Sequence, residues 1–313
     1  MALLADHSQL PKAAPTQAAG LVPDATPRFV QLLVEAWRQD DLDHPYVPQS
    51  GARFWHSSAG KCARAIAYKA AGIPESDPMD LSGVNNVRIG SLLHDAWQQA
   101  AIKALGEKAE AEVRVRTLNG DGTGKIDLVV TDEKVTDIEL KTIGGFGYKS
   151  AIGKARRGSP AEGPKSEHLL QAALNGYAND ADEVVVAYLG KEAISVTTAG
   201  SLDEITRFAC EWTFTREQFV PLAERELERV AGILHLVDEG VLAARKMIDL
   251  PSSAEIVDPA SGRWEQHDAE GMILDTGTHW SCSYCSHRSI CAQTPSGRVE
   301  TEQVVAISTK ASA

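Results

Sequence analysis

The stretch "GKIDLVVTDEKVTDIELKT", residues 124–142, decides how the chain is read. Two runs of alternating apolar residues flank the polar triplet "DEK", the pattern of two strands joined by a tight turn. In a strand, alternate side chains share a face. Ile126, Leu128 and Val130 therefore point one way, and Ile138 and Leu140 do the same on the second strand. These are the expected core faces. Asp127, Glu139 and Lys141 point the other way. If the turn takes the three residues Asp132 to Lys134, Asp127 stands opposite Glu139.

Two adjacent carboxylates repel, and each resists ionisation. A divalent cation removes that cost, and oxygen donors suit Mg²⁺ or Mn²⁺. Such an ion can polarise a phosphate, and the ammonium of Lys141 can orient a water or stabilise developing charge. Taken alone, the pattern also suits a solvated hairpin with a cross-strand salt bridge. Two flanking segments add to it. "RIGSLLHDAWQQA" sets His94 on a helix before the hairpin, where an imidazole can serve as a third ligand. "HLLQAALNGYA" sets His168, Gln171, Asn175 and Tyr177 on a helix after it.

Further out, 84–105, 166–180 and 215–246 have helical spacing, and 55–72 reads as a helix capped by Ser57 or Ser58 and stopped at Gly72. Residues 111–118, 183–190 and "ITRFACEWTF" read as strands; 143–165 and 250–281 read as loops. The order predicts an α/β fold with a small mixed β-sheet flanked by helices. Residues 1–27 read as a disordered or loosely attached arm, 28–295 as a single domain and 296–313 as a flexible tail.

Near the C-terminal end, "HWSCSYCSHRSIC" (279–291) holds Cys282, Cys285 and Cys291 in a C-x2-C-x5-C array. The chain has only two other cysteines, Cys62 and Cys210. Five in 313 residues is too few, and odd in number, for a disulfide framework, which points to a reducing, cytoplasmic setting. Four thiolates suit zinc or an iron–sulfur cluster equally. Cys210 reads as a buried strand residue, and His287 as a spare ligand on the surface.

With 31 basic and 43 acidic residues the chain carries a net charge of −12 and has no global attraction to nucleic acid. A local patch would have to supply it. Lys149, Lys154, Arg156, Arg157 and Lys165, interleaved with Phe146 and Tyr148, follow Lys141 directly. No G-x-x-x-x-G-K-[ST] loop is present, so the chain carries no nucleotide-driven motor of that kind. No apolar run is long enough for a membrane helix.

A helical His, then "GKID", then "IELKT", then a helical Gln resembles the RecB-like branch of the PD-(D/E)XK nucleases, whose core is restriction-endonuclease-like. The resemblance covers about residues 55–295. It implies that His94, Asp127, Glu139 and the main-chain carbonyl of Leu140 bind Mg²⁺ or Mn²⁺. Lys141 would position the water, and Gln171 would support the site. The family helix often reads Q-x-x-x-Y; here Asn175 follows Gln171 by four and Tyr177 by six, so Tyr177 stands only as a DNA-contact candidate beside the basic loop. A lone upstream cysteine followed by the C-terminal array resembles the family's iron–sulfur subgroup, which includes CRISPR-associated single-domain exonucleases and the AddB nuclease domain. It implies a 4Fe–4S cluster on Cys62, Cys282, Cys285 and Cys291 that closes the fold, with zinc as the alternative. The implied activity is exonucleolytic hydrolysis of DNA, on single-stranded ends and in the 5′ to 3′ direction, with helicase or CRISPR-adaptation proteins as partners. A non-catalytic DNA-binding or assembly module is the competing reading.

Overall fold

A computed structural model describes residues 51–154, 160–195, 203–251 and 253–311, together with Leu32 and Gln39, both helical. The chain divides into two units, Met1–Tyr46 and Val47–Ala313, and the second holds every element from β1 onward. The expected N-terminal arm lies outside the described residues.

A mixed sheet organises this unit. Strands β2 (Ala109–Thr117), β3 (Gly122–Thr131), β4 (Val135–Ile143), β5 (Glu183–Gly190) and β6 (Ala209–Thr215) lie side by side in that order, and the short β1 (Phe54–Trp55) runs parallel to the start of β3. The β2–β3, β3–β4 and β5–β6 pairs are antiparallel, while β4 and β5 are parallel. A parallel pair needs a crossover, supplied here by α3 (Gly145–Ala151) and α4 (Ser166–Ala178). The β3–β4 turn takes three residues, with Thr131 opposite Val135 and Leu128 opposite Ile138.

The sheet is covered unequally. On one face α4 and α5 (Arg216–Asp238) pack Ala172, Ala173, Leu174, Phe219 and Val230 against Val184, Val186 and Tyr188. On the other, Trp97 of α2 (Leu81–Leu105) covers Leu140, Val185 and Ala187. The alternation expected for the hairpin holds: Ile126, Leu128 and Leu140 are buried, and the opposite face is covered too. Glu139 and Lys141 lie on the face of the large core, and Ile138 and Leu140 meet the smaller cluster under α2. A strand covered on both faces carries no outside in its pattern.

Asp80 caps α2 by accepting the Gly83 N–H at 2.7 Å. The expected helix over 55–72 is shorter: α1 is Ala63–Ala70, with Cys62 rather than a serine at its N-cap and no side-chain cap bond. Its end is as expected. Gly72 takes φ +67°, and the Gly72 and Ile73 N–H groups reach back to Lys69 and Tyr68 carbonyls, a Schellman closure.

Two expected loops hold structure. Residues 143–165 contain α3, and 250–281 form an antiparallel meander of β8 (Ala254–Asp258), β9 (Arg263–His267) and β10 (Ile273–Thr278). The tail is also structured: β11 (Val299–Glu300) pairs with β7 (Val241–Leu242), and α7 (Thr301–Ala311) buries Val304 in the main core. Cys282 lies in a 3₁₀ turn (Trp280–Tyr284), Cys285 just after it and Cys291 in α6 (Arg288–Ala292). Two buried arginines hold it. Arg64 donates to Ala243 and Gly297 carbonyls and, at 3.1 Å, to Thr294 Oγ1. Arg245 donates to the Cys291 and Thr294 carbonyls.

Candidate active site and cysteine module

The β3–β4 ladder stops at Leu128 and Ile138. The next hydrogen-bonded pair of an unbroken ladder would join Ile126 to Leu140. Instead, the Asp127 carboxylate accepts the Leu140 N–H at 2.8 Å. A strand residue's N–H and C=O point to the same edge, so the Leu140 carbonyl faces this split as well. Continuing the register puts Glu139 opposite Asp127, as the three-residue turn requires.

The split is lined by the residues the sequence singles out. His94 of α2 lies 3.7 Å from Asp127 Oδ1 through its Nδ1. Lys141 donates to Glu139 Oε1 and, at 3.2 Å, to Gln171 Oε1 on α4. Asp127 and Glu139 are 7% and 2% exposed, so solvent does little to stabilise their charge. Burial pushes Glu139 up to about 7; Lys141 pulls it down and the Asp127 charge raises it further. Burial likewise raises Asp127, against the pull of Lys141 and His94. Lys141 sits above its usual range, since the pull of Glu139 and Asp127 overcomes its burial.

His56, Glu112 and the role of Asn175 escape sequence reasoning. Asn175, where the family helix carries tyrosine, is 1% exposed and donates to Glu139 Oε2 at 3.2 Å and to the Lys125 carbonyl at 3.3 Å. Its spacing of four from Gln171 is the signal that marks it as sharing that face. Its Oδ1 lies 2.8 Å from His56 Nδ1, and His56 Nε2 lies 2.9 Å from Thr117 Oγ1. Gly124 runs beneath this pair: a Cβ there would stand 2.2 Å from both Asn175 Oδ1 and His56 Nδ1. Glu112 falls opposite Asp127 in the β2–β3 register, with φ +61°. Its Oε1 accepts from Gln98 Nε2 at 3.0 Å, and the same amide reaches the Asp127 carbonyl at 2.8 Å. Positive φ at a non-glycine stores strain of the kind that gathers at functional sites, and no periodicity reveals it.

The DNA-contact candidates are more scattered. Lys149 on α3 and Lys154 just after it are half-buried, with the Lys154 N–H donating to the Lys149 carbonyl. Arg156 and Arg157 lie outside the described residues. Tyr177 is 40% exposed, and its spacing turns it to the side of α4 opposite Gln171 and Asn175.

The second cluster is made of thiols. Cys62, Cys282, Cys285 and Cys291 are all unpaired by disulfides, and their charges act on one another. Burial pushes Cys62 up to about 11, with Cys291 and Cys285 adding to it. Burial, then Cys62, Cys285 and Cys291, push Cys282 up to about 12. Cys210 lies apart, packed against the main core. His287, expected at the surface, is 1% exposed; its Nε2 lies 3.1 Å from the Ile73 carbonyl and its ring 5.0 Å from that of Tyr68. It is a packing residue that ties the array to the end of α1.

Among the described residues, no group of three or more His, Cys, Asp or Glu side chains is already arranged to hold a metal ion. The donor chemistry nonetheless fits at both places: two buried carboxylates, an imidazole and a carbonyl at one, four thiols at the other. No helix among the described residues is long and apolar enough to cross a membrane.

No protein-family model matches the chain, and no curated protein matches it. Among solved structures it is similar to the alkaline exonuclease LHK-Exo of Laribacter hongkongensis, at 13% identity and TM-score 0.41, covering 66% of this chain and 94% of that one. It is similar to SSO0001 at 16% identity and TM-score 0.41, covering 67% and 86%. A phage-related exonuclease of Haemophilus somnus 129PT gives 13% and 0.39, covering 56% and 81%. At such scores the likeness is one of outline.

Proposed function

We propose that the chain is a metal-dependent deoxyribonuclease of the PD-(D/E)XK type, acting on the ends of single-stranded DNA. One observation carries this reading: the hairpin register brings Asp127 and Glu139 together at a split in the sheet, with His94 on one side and Lys141 on the other. In this reading His94, Asp127, Glu139 and the Leu140 carbonyl hold Mg²⁺ or Mn²⁺. The ion would supply Lewis-acid polarisation of a phosphodiester. Lys141, oriented by Glu139 and Gln171, holds the attacking water by a hydrogen bond and offsets charge on the phosphoryl oxygens. The Leu140 N–H fixes the rotamer of Asp127, and Asn175 fixes that of Glu139.

The four cysteines in this reading carry a 4Fe–4S cluster that ties α1 to the C-terminal array, with zinc as the alternative metal. Absorbance near the visible edge and metal analysis of protein purified without oxygen separate the two, since a zinc site is colourless.

The test is an assay on end-labelled single-stranded DNA with Mn²⁺ or Mg²⁺, comparing wild type with Lys141→Ala. The wild type should release labelled product, and the variant should be slower by about 100-fold or more. A folded, metal-loaded wild type that leaves the DNA intact would refute the catalytic reading. Position of the label in the product gives the polarity.

A further inference from the structure

The polar row on α4 extends beyond the catalytic split. From Gln171 it winds back in steps of three to His168 and then to Lys165 at the N-cap, about 9 Å along the axis. His168 Nδ1 lies 2.6 Å from Tyr188 Oη, and the Lys165 N–H donates to the same oxygen at 2.8 Å. Burial, then the charges of Lys141, Lys165 and Lys61, push His168 down to about 3. Glu167 lies 4.0 Å from Lys165 Nζ and 3.9 Å from His168 Nε2.

At the far end of this row stand two large aromatics that the fold leaves in solvent. Trp280 is 53% exposed and Tyr284 82% exposed, although both belong to the turn that buries Cys282. Lys165 Nζ lies 5.1 Å from the centre of the Trp280 ring. The indole is backed by the stacked His279 ring at 6.0 Å and 21°, and His279 is itself held by Asp249 at 3.0 Å. Tyr284 meets Trp280 edge-on at 6.0 Å. A half-exposed aromatic braced by a second ring, with a half-exposed lysine over it that can swing aside onto a phosphate, suits a planar anionic ligand.

We propose that Trp280 and Tyr284, with Lys165 beside them, form the ledge on which the bases of a single-stranded DNA substrate stack before its backbone passes along α4 to Lys141. Stacking on aromatics flanked by basic residues holds single strands without reading their sequence. The ledge answers how an acidic chain holds DNA: a few local lysines and two aromatic faces suffice. It rests on the nuclease reading of the split.

The experiment uses the full chain, a fluorescein-labelled oligothymidylate and no added divalent cation, so that binding is read without cleavage. Trp280→Ala should weaken binding by about 5- to 100-fold, and Tyr284→Ala by about 10-fold. Trp280→Phe should stay within about threefold of wild type, which separates loss of stacking from loss of fold. Lys165→Ala should reduce the slope of log Kd against log salt by about 0.7. A duplex of the same length should respond less to Trp280→Ala, because its bases are already stacked. Wild-type binding with Trp280→Ala and Tyr284→Ala both unchanged overturns the ledge and leaves the nuclease reading standing. A wild type that binds no single-stranded DNA overturns the ledge, and the nuclease reading then stands or falls by the cleavage assay.

Discussion

The carboxylate split and the cysteine module are both clusters of like groups that resist ionisation, yet they are held in opposite ways. Around the split, beside the Lys141 ammonium on Glu139, support comes from neutral groups on nearby elements: Gln171, Asn175, Gln98 and the Leu140 N–H each satisfy one oxygen or ammonium. Around the cysteines, support comes from two buried cations that grip main-chain carbonyls far away in sequence. If the split binds and releases a substrate, as proposed, neutral partners fix its geometry without adding charge. Around the cysteines a guanidinium serves, because its five donors in a planar fork satisfy several carbonyls at once.

This contrast is broken most strongly at Arg245. Arg245→Met removes the donor shared by the Cys291 and Thr294 carbonyls while keeping most of the side-chain volume. Each buried acceptor left unsatisfied costs about 1–3 kcal/mol. The variant should therefore lose about 3 kcal/mol by urea denaturation, and the C-terminal array should become the first region to exchange its amide hydrogens. Uniform loss of protection across the sheet as well would show that the module is not a separate support.

Acid should probe the split in preference to the cysteines. Burial pushes His56 down to about 4, from an ordinary value of 6.5, with the Asn175 hydrogen bond pulling weakly the other way. Between these pH values the unfolded chain takes up a proton that the folded chain refuses. The stability is present above pH 6.5 and is lost as the pH falls toward 4, by about 3 kcal/mol. His168, pushed down to about 3 chiefly by burial, acts with the same sign. Asp137, raised to about 6, and Glu139, raised to about 7, both chiefly by burial, act with the opposite sign: their folded forms keep protons that the unfolded forms release above 3.8 and 4.5. His56→Gln should remove the first contribution, so that between pH 6.5 and 4 the urea midpoint of the variant falls less, or rises more, than that of the wild type. An unchanged slope would mean that the imidazole is protonated as easily in the fold as outside it.

What the sequence made legible follows from the same contrast. The split could be read because strand alternation and a three-residue turn are enough to fix which side chains meet. The C-x2-C-x5-C array could be read because thiols are rare and clustered. Their supports could not. Arg64 and Arg245 look like ordinary surface residues until the carbonyls of Gly297 and Thr294 fold back onto them. His287 looks like a ligand because of its neighbours, but the carbonyl that holds it belongs to Ile73, at the other end of the fold. The α3 helix is hidden by the glycines at 144, 145 and 147, and the β8–β10 meander by its polar, half-exposed strands. The hairpin's apolar face was legible, but which face meets the larger core was not, because both are covered.

Gly124 gives the finest test of how tightly the split is built. It precedes Asp127 by three, in a strand where a side chain would ordinarily be an advantage. Here His56 and Asn175, each 1% exposed, lie directly over its Cα. Neither can swing into solvent, so a methyl group at 124 must push their hydrogen-bonded pair aside. Overpacking of this kind costs about 1–3 kcal/mol. The displacement should pass to Glu139, because Asn175 is the amide that holds Oε2. Gly124→Ala should therefore lower turnover by about 10-fold with little change in DNA affinity, since the ledge at Trp280 and Tyr284 lies on the other side of Lys141. Equal losses in turnover and in affinity would mean that the two places move as one, and that the strand is bound by the split rather than delivered to it.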